Sequence, residues 1–134
     1  MSKEPHIVDL PRIMDPRGNL SVIESEDLLP FKIARAYWIY DVPGGMFRNG
    51  HAFHTQQEFI VALSGSFDVV LNDGRREQRF HMCRSYYGLY VPPLTWRKLD
   101  NFSTNSVVYV LSDTEYDPDD YIEDFDEFKK LVSQ

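Results

Sequence analysis

The sequence predicts an all-β domain, a sandwich or barrel, with helix only near its end. Short apolar and ring-bearing stretches alternate with turn signals at intervals of about 8–12 residues, which is the strand spacing of such folds. The 134 residues include nine Phe and eight Tyr, and aromatic side chains favour strands. The pattern lacks the strand–helix alternation of a parallel α/β sheet and shows no internal repeat. We therefore expect a single domain over residues 1–134.

The N-terminal part of the chain predicts two short strands. Residues 6–14 are typical of an edge strand, because Pro11 interrupts them and proline is tolerated at a sheet edge. A dense turn signal over residues 15–19 leads into a short strand over residues 20–24.

Residues 33–42 predict a longer strand, IARAYWIYDV. Alternation places Arg35 and Tyr37 on one face, and Trp38 and Tyr40 on the other. Both faces mix ring-bearing and apolar residues, so this pattern leaves open which face points inward.

The middle of the chain predicts seven further strands. One turn between them, Asn72-Asp73-Gly74, is a strong hairpin signal because Asn and Gly tolerate the positive φ that the turn demands. The predicted strands cover residues 51–53, 59–63, 66–71, 75–82, 86–91, 95–99 and 107–111.

Residues 117–132 predict a short C-terminal helical tail. Asp117-Pro118 is a helix-start signal, and Asp124 with Glu127 resembles a capping box. An apolar stripe then predicts packing against the outside or one end of the barrel. The stripe consists of Phe125, Phe128, Leu131 and Val132.

The net charge of −7 is concentrated near the end of the chain. Residues 113–127 hold nine acidic residues and no Lys or Arg, whereas residues 1–112 hold 12 basic and 12 acidic residues. We interpret the acidic stretch as a solvated tail. The absence of a basic stripe argues against nucleic acid as a partner.

The cellular compartment is predicted from what the sequence lacks. The single cysteine, Cys83, cannot form an internal disulfide. The N-terminus shows no apolar signal region, and no apolar run approaches the length of a membrane span. We expect a soluble, cytoplasmic protein that does not associate with membranes.

The chemistry is concentrated in GMFRNGHAFHTQQEFIVALSG, residues 45–65. Arg48 and His51 stand before a second histidine, His54, and an acid, Glu58. An apolar run then predicts a buried strand. A polar cluster that opens directly into a core strand predicts a site inside a barrel.

The spacing of this stretch resembles the first motif of the cupins, G-x5-H-x-H-x4-E-x6-G, with Phe53 in place of the second histidine. The resemblance implies a jelly-roll β-barrel. In metal-binding cupins the two histidines, the glutamate and a later histidine hold the ion, and the later histidine has no counterpart in residues 92–96. Only His51 and Glu58 remain, which is too few ligands for a stable metal site. We expect neither metal nor cofactor.

Further motifs, in the same order along residues 8–128, resemble the nucleotide-sugar 3,4-ketoisomerases of the cupin superfamily. They are Arg17-Gly18-Asn19-Leu20, Arg35-Ala36-Tyr37-Trp38, Arg48-Asn49-Gly50-His51-Ala52, Gly88-Leu89-Tyr90-Val91-Pro92-Pro93, Trp96, Phe102-Ser103, and Tyr116-Asp117 to Asp120-Tyr121-Ile122.

This resemblance implies an isomerase that converts a thymidine-diphosphate (TDP) 4-keto-6-deoxyhexose to its 3-keto form, for deoxysugar and surface polysaccharide biosynthesis. His51 corresponds to the catalytic base and Tyr37 to a proton shuttle. The substrate-binding set comprises Arg17, Arg35, Arg48, Phe53, Glu58, Tyr90 and Trp96. Its arginines suit a diphosphate, because a guanidinium binds two oxygens at once. Glu58 is expected to form hydrogen bonds within the pocket rather than to act as the base.

Phe53 departs from the family pattern, which often carries two inward histidines. In a regular strand Phe53 shares the face of His51, whereas His54 points the other way unless a bulge turns it inward. Either Phe53 marks a subclass that works with one histidine, or the exact reaction differs. The alternatives are a 3,5-epimerase on the same kind of substrate and a non-catalytic sugar-nucleotide-binding cupin, for which Phe53 is the main argument. A metal-dependent dioxygenase comes last, because ligands are missing. The resemblance also implies a homodimer, in which the strands of residues 6–24 are candidates for exchange.

Overall fold

The computed structural model describes residues 4–24 and 28–133. Its regular elements are predominantly strands, as the sequence predicts. The strands are β1 (His6–Asp9), β2 (Arg12–Ile13), β3 (Leu20–Ser21), β4 (Arg35–Ile39), β5 (Arg48–Phe53), β6 (Glu58–Ser64), β7 (Phe67–Asn72), β8 (Glu77–Met82), β9 (Tyr87–Val91), β10 (Trp96–Asp100), β11 (Val107–Ser112) and β12 (Tyr121–Ile122), and the helix is α1 (Phe125–Val132).

Two five-stranded antiparallel sheets form the body of the domain. The first has the order β1-β9-β6-β11-β4, and the second has the order β12-β5-β10-β7-β8. Neighbours in these sheets are mostly distant in sequence, which is the connectivity of a jelly roll. The prediction of an all-β jelly-roll barrel with a C-terminal helix is confirmed.

The main core lies between the two sheets. It joins inward side chains of β6, β9 and β11 to those of β7, β8 and β10. Ile60 and Ala62 of β6 point into this core, whereas Phe59 and Val61 point to the other face of the first sheet. The N-terminal segment covers that outer face through Leu10, Leu29 and Phe31. Because both faces of β6 are covered, its sequence is a continuous apolar run.

The longest N-terminal strand is shorter than predicted. The sequence predicts residues 33–42, but β4 covers Arg35–Ile39. Asp41 has a φ of 59°, a left-handed conformation that cannot continue a strand. The exposed face of β4 carries Ala36 and Trp38, and the half-buried face carries Arg35 and Tyr37. The structure therefore determines the inward face that alternation leaves open.

The tail over residues 117–132 is not one continuous helix. Pro118–Asp120 forms a single 3-10 turn, and β12 follows, pairing with the end of β5. Helix α1 begins only after Asp124, whose side chain accepts hydrogen bonds from the backbone N–H groups of Asp126 and Glu127. Phe128 then packs fully buried against Ala52. Neither of the described helical segments has the length and apolar character needed to cross a membrane.

The hairpin of β2 and β3 stands apart from both large sheets. Among the described residues, the two strands pair only with each other. Apolar side chains of this hairpin are exposed, with Ile13 at 55% and Leu20 at 55% of their full accessibility.

Candidate active site

A cavity of about 790 Å³ opens between the edge strand of one sheet and the edge of the other. Strand β4 forms one wall, strands β5 and β10 form the opposite wall, and β12 closes one side. The lining comprises Arg35, Tyr37, Trp38, Ile39, Tyr40, Phe47, Arg48, His51, Arg97, Lys98, Leu99 and Tyr121. It combines rings with cationic groups, which suits an anionic ligand that carries flat or apolar parts.

His51 projects from β5 into this cavity. Its Nε2 atom is buried and has no hydrogen-bond partner among the described residues. Burial, followed by the positive charges of Arg97 and Arg48, lowers the pKa of His51 to about 3. The imidazole is therefore neutral at physiological pH, and its Nε2 is available to take a proton.

Tyr37 and Arg97 meet Glu58 at the inner end of the cavity. The Tyr37 hydroxyl donates to Glu58 Oε2 at 2.5 Å and accepts from Arg97 Nη2 at 2.7 Å. Arg97 Nε also forms an ion pair with Glu58 Oε1 at 2.5 Å. Burial, opposed by the charge of Arg97 and assisted by Glu58, raises the pKa of Tyr37 well above its usual value. The Tyr37 phenol therefore stays protonated, with its proton directed towards Glu58.

Further buried polar groups surround the Glu58 carboxylate. Gln56 Nε2 donates to Glu58 Oε2 at 2.9 Å. Gln56 Oε1 in turn accepts from Thr114 Oγ1 at 2.7 Å and from Arg35 Nη2 at 3.4 Å. The Arg35 guanidinium lies over the ring of Tyr37, 5.1 Å from its centroid. Arg35 and Tyr37 therefore support each other on the wall formed by β4.

Phe53 supports His51 from the side. The two ring centroids are 4.9 Å apart in an edge-on arrangement, and the Phe53 ring lies 4.7 Å from that of Tyr121. Phe53 is only 4% exposed and does not line the cavity. His54 lies after the end of β5, and its side chain is exposed. It therefore does not replace the missing histidine in the cavity.

Two carboxylates from the acidic stretch hold the turn between β5 and β6. Asp120 accepts hydrogen bonds from the backbone N–H and hydroxyl of Thr55 and from the backbone N–H of Gln56, each at 3.0 Å. Asp113 accepts from the backbone N–H of Gln57 at 2.7 Å and from its side-chain amide at 2.9 Å. The interpretation of this stretch as simply solvated is therefore wrong for Asp113 and Asp120, because the turn needs acceptors for its backbone N–H groups.

The structure brings together only part of the set of site residues that the sequence predicts. Tyr37, Arg35, Arg48 and His51 line one cavity. Glu58 lies directly behind Tyr37, as a partner within the protein.

Arg17, Tyr90 and Trp96 are placed elsewhere in the chain. Arg17 is exposed in the turn between β2 and β3 and pairs with Asp15. Tyr90 belongs to the outer cluster of the first sheet, where its hydroxyl donates to Gln57 Oε1 at 2.5 Å.

Trp96 illustrates why a ring predicted for the site faces the other way. It precedes Arg97 on β10, and successive residues of a strand point to opposite faces. The Arg97 face is directed inward and is 4% exposed. Trp96 therefore points outward, where it packs against Phe125 and Phe128 of the helix.

Arg97 and Tyr121 are among the cavity residues that the sequence did not predict for the site. Arg97 lies two residues before the core residue Leu99 and therefore shares its strand face. An arginine at this spacing from a core position predicts a guanidinium group that points inward. Tyr121 enters through β12, which pairs Tyr121 with Phe53. The pairing of residues so far apart in sequence is set by the tertiary structure.

The side chains at the positions that hold the ion in metal-binding cupins do not fit a metal ion here. Phe53 has no donor atom, and Glu58 is paired with Arg97. Within residues 4–24 and 28–133, no group of three or more His, Cys, Asp or Glu side chains is arranged to hold a metal.

The jelly-roll fold defines a cupin-like protein, and its cavity holds side chains suited to proton transfer. The family model described as "FdtA: WxcM-like, C-terminal" matches residues 3–133. The chain belongs to this family.

Known proteins of similar sequence and structure agree with that assignment. The chain is 37% identical over 131 residues to the TDP-4-oxo-6-deoxy-alpha-D-glucose-3,4-oxoisomerase of Aneurinibacillus thermoaerophilus, covering 98% of this chain and 94% of that protein. A 3,4-ketoisomerase from Helicobacter canadensis superposes with a TM-score of 0.93 at 33% identity, over 97% of this chain and 98% of the other.

A third relative has been crystallised with a ligand. It is a variant of the 3,4-ketoisomerase from Thermoanaerobacterium thermosaccharolyticum in complex with TDP-4-keto-6-deoxyglucose. It matches with a TM-score of 0.94 at 28% identity, over 99% of this chain and 96% of the other. A dTDP-4-dehydrorhamnose 3,5-epimerase from Bacillus anthracis, at 16% identity and a TM-score of 0.78 over 87% of this chain and 76% of the other, shares the fold alone.

Proposed function

We propose that this protein is an isomerase that moves the ketone of a TDP-4-keto-6-deoxyhexose from C4 to C3, for the biosynthesis of deoxysugars of surface polysaccharides. The observation that carries the proposal is the pairing of a neutral His51, with its Nε2 unoccupied by protein groups, and Tyr37 in one cavity. The relatives named as 3,4-ketoisomerases support the choice of reaction and of substrate.

The reaction needs proton transfers at carbon and at oxygen. His51 takes the proton from C3, the C3–H electron pair forms the C3=C4 double bond, and O4 becomes the oxyanion of an enediolate. The proton of the 3-hydroxyl leaves and O4 gains a proton, with Tyr37 as the shuttle between the oxygens. His51 then returns a proton to C4 as the carbonyl forms at C3. Arg97 supplies positive charge at the inner end of the cavity, where it stabilises the oxyanion.

The cations of the cavity wall are proposed to bind the diphosphate. Arg48 is exposed at the start of β5, and Arg35 is half-buried on β4. Lys98 lines the same cavity. Guanidinium groups on two walls can hold the two phosphates of a nucleotide sugar while the sugar ring reaches His51.

We propose a homodimer in which residues 6–24 are exchanged between the subunits. Within the part of the chain that the structure describes, the β2–β3 hairpin makes no strand pairs with the two large sheets, and it exposes apolar side chains. Arg17 lies at its turn, and its side chain is 90% exposed. Arg17 does not line the cavity of its own chain, so it would take part in substrate binding through the cavity of the partner.

The proposal includes location in the cytoplasm. A single cysteine suits a reducing compartment, and nucleotide sugars are the substrates of the relatives.

The function is tested by incubating the protein with TDP-4-keto-6-deoxyglucose in D₂O and following the sugar by NMR. We expect a product with its ketone at C3. Deuterium incorporation at C5 would instead indicate a 3,5-epimerase. Binding of the substrate without exchange or conversion would refute the enzyme and leave a sugar-nucleotide-binding protein, the alternative that Phe53 favours.

The role of His51 is tested by His51→Asn. Turnover should fall by roughly 10²–10⁴-fold, the usual effect of losing a general base, with substrate binding retained. His54→Asn is the matched control, because His54 is exposed outside the cavity, and it should keep normal turnover. Near-normal turnover of His51→Asn would remove this residue from the mechanism.

A further inference from the structure

We propose that Glu58 is the proton acceptor behind Tyr37, so that the two residues form a relay for the hydroxyl protons of the substrate. This inference rests on the proposed isomerase function. It separates the work of the site into two routes: His51 carries the carbon-bound proton, and Tyr37 with Glu58 carries the oxygen-bound protons. Glu58 is then a positioning residue that acts through Tyr37 and does not touch the substrate.

The geometry around the Tyr37 hydroxyl gives the direction of the relay. Its proton is donated to Glu58 Oε2 at 2.5 Å, and one oxygen lone pair accepts from Arg97 at 2.7 Å. A hydroxyl oxygen has two lone pairs. The second lone pair remains for the hydroxyl group of a ligand in the cavity. A proton that arrives from the ligand therefore displaces the Tyr37 proton towards Glu58.

Glu58 is accessible to this proton only from within the protein. Its side chain is 1% exposed, and it is not among the residues that line the cavity. Oε2 accepts from Tyr37 and Gln56, and Oε1 faces Arg97. Because the carboxylate is buried behind Tyr37 and does not line the cavity, it does not contact the substrate directly.

Arg97 links the relay to the charge that forms on the substrate. Its guanidinium contacts both the Glu58 carboxylate and the Tyr37 hydroxyl. When Glu58 accepts a proton, it no longer neutralises Arg97. The positive charge then becomes available to the enediolate at the moment when it is needed.

The transfer balances within one substrate molecule. The O3–H bond breaks as a new O–H bond forms on Tyr37, and the previous O–H bond of Tyr37 breaks as one forms on Glu58. The reverse movement gives the proton to O4. No net proton is gained or lost by the relay, and no oxidant, reductant or other reactant is needed.

The test is Glu58→Gln, assayed in D₂O with TDP-4-keto-6-deoxyglucose. His51 should still exchange the hydrogen at C3, at a rate within about threefold of the parent protein. Formation of the 3-keto product should fall by roughly 10²-fold, the scale of a lost proton-transfer group. The ratio of C3 exchange to isomerisation should therefore rise, with little change in KM.

Asp120→Asn is the matched control, since it converts another buried carboxylate to an amide beside the same turn. Any effect of Asp120→Asn should lower exchange and isomerisation together. A structural disturbance cannot by itself separate the two rates, so the separation is specific to the relay.

The proposal is overturned if Glu58→Gln lowers both rates equally or leaves isomerisation normal. If that variant does not fold, Tyr37→Phe provides the test, because it removes the hydroxyl and keeps the ion pair of Glu58 with Arg97. Tyr37→Phe must then show the same separation of rates, and equal loss of both would overturn the relay. A parent protein that binds the substrate without exchange or product would instead refute the proposed function.

Discussion

His51 is kept neutral by its surroundings rather than by a hydrogen bond. Burial has the largest effect, and the positive charges of Arg97 and Arg48 add to it, so the pKa of His51 falls to about 3. A neutral imidazole is the form that takes a proton, and in the free enzyme this form persists down to pH values well below 6.5. Activity measured as kcat/KM should therefore show no loss attributable to His51 near pH 6.5.

Arg48→Gln should raise the pKa of His51, because it removes a positive charge that disfavours the imidazolium. The pKa should move upward from about 3 and stay below 6.5, since burial and Arg97 remain. An NMR titration of the His51 ring measures this pKa. Arg79→Gln, a charge change on β8 outside the cavity lining, should leave the pKa unaltered, and an unchanged pKa in Arg48→Gln would contradict the electrostatic explanation.

At the scale of elements, the site depends on how the turn between β5 and β6 is held. His51 lies on β5 and Glu58 begins β6, so this turn sets their relative positions. Asp120 binds the turn through Thr55 and Gln56, and β12 follows directly and delivers Tyr121 to the cavity. The tail is thus part of the active-site scaffold.

Asp120→Asn should lower the free energy of unfolding by about 1–3 kcal/mol, the cost of leaving buried donors poorly satisfied. Urea denaturation measures this loss, and amide hydrogen exchange should become faster at Thr55 and Gln56. Asp119→Asn is the control, because Asp119 is exposed, and it should change stability by less than about 0.5 kcal/mol. Equal effects of the two substitutions would disprove the role of Asp120 in holding the turn between β5 and β6.

At the scale of the whole molecule, the exposed apolar residues of the hairpin are the basis of the proposed homodimer. Ile13, Met14 and Leu20 are 55%, 69% and 55% exposed, respectively. Trp38 on β4 and Tyr40 just after this strand are also exposed, at 57% and 61%. Exposed apolar side chains of this kind are candidates for the interface of the proposed homodimer.

The parent protein should sediment as a dimer, and Ile13→Asp should shift it towards the monomer, because a charge in an apolar interface is costly. Analytical ultracentrifugation measures the association state of the parent protein and of the variant. Leu94→Asp, an exposed position outside the hairpin at 41% exposure, should remain dimeric. A monomeric parent protein would refute the dimer, and an unaffected Ile13→Asp would exclude the hairpin from the interface.

The sequence by itself determined the class of fold and the family. Apolar stretches and turns follow from local preferences, and the spacing of His51 and Glu58 along two strands that are consecutive in sequence is a local property. The prediction that the chain resembles the 3,4-ketoisomerases is confirmed by the family match and by close relatives. The capping role of Asp124 was also predicted correctly from its neighbours in sequence.

Only the tertiary structure decided which side chains meet. Arg97 joins Tyr37 and Glu58 through pairing of strands that are distant in sequence, and Tyr121 reaches His51 through β12. Tyr90 and Trp96 were predicted for the site because of their motifs, but the alternation of their strands directs them elsewhere. Local sequence sets the alternation of a strand, whereas the face that is buried depends on what packs against it from the rest of the chain.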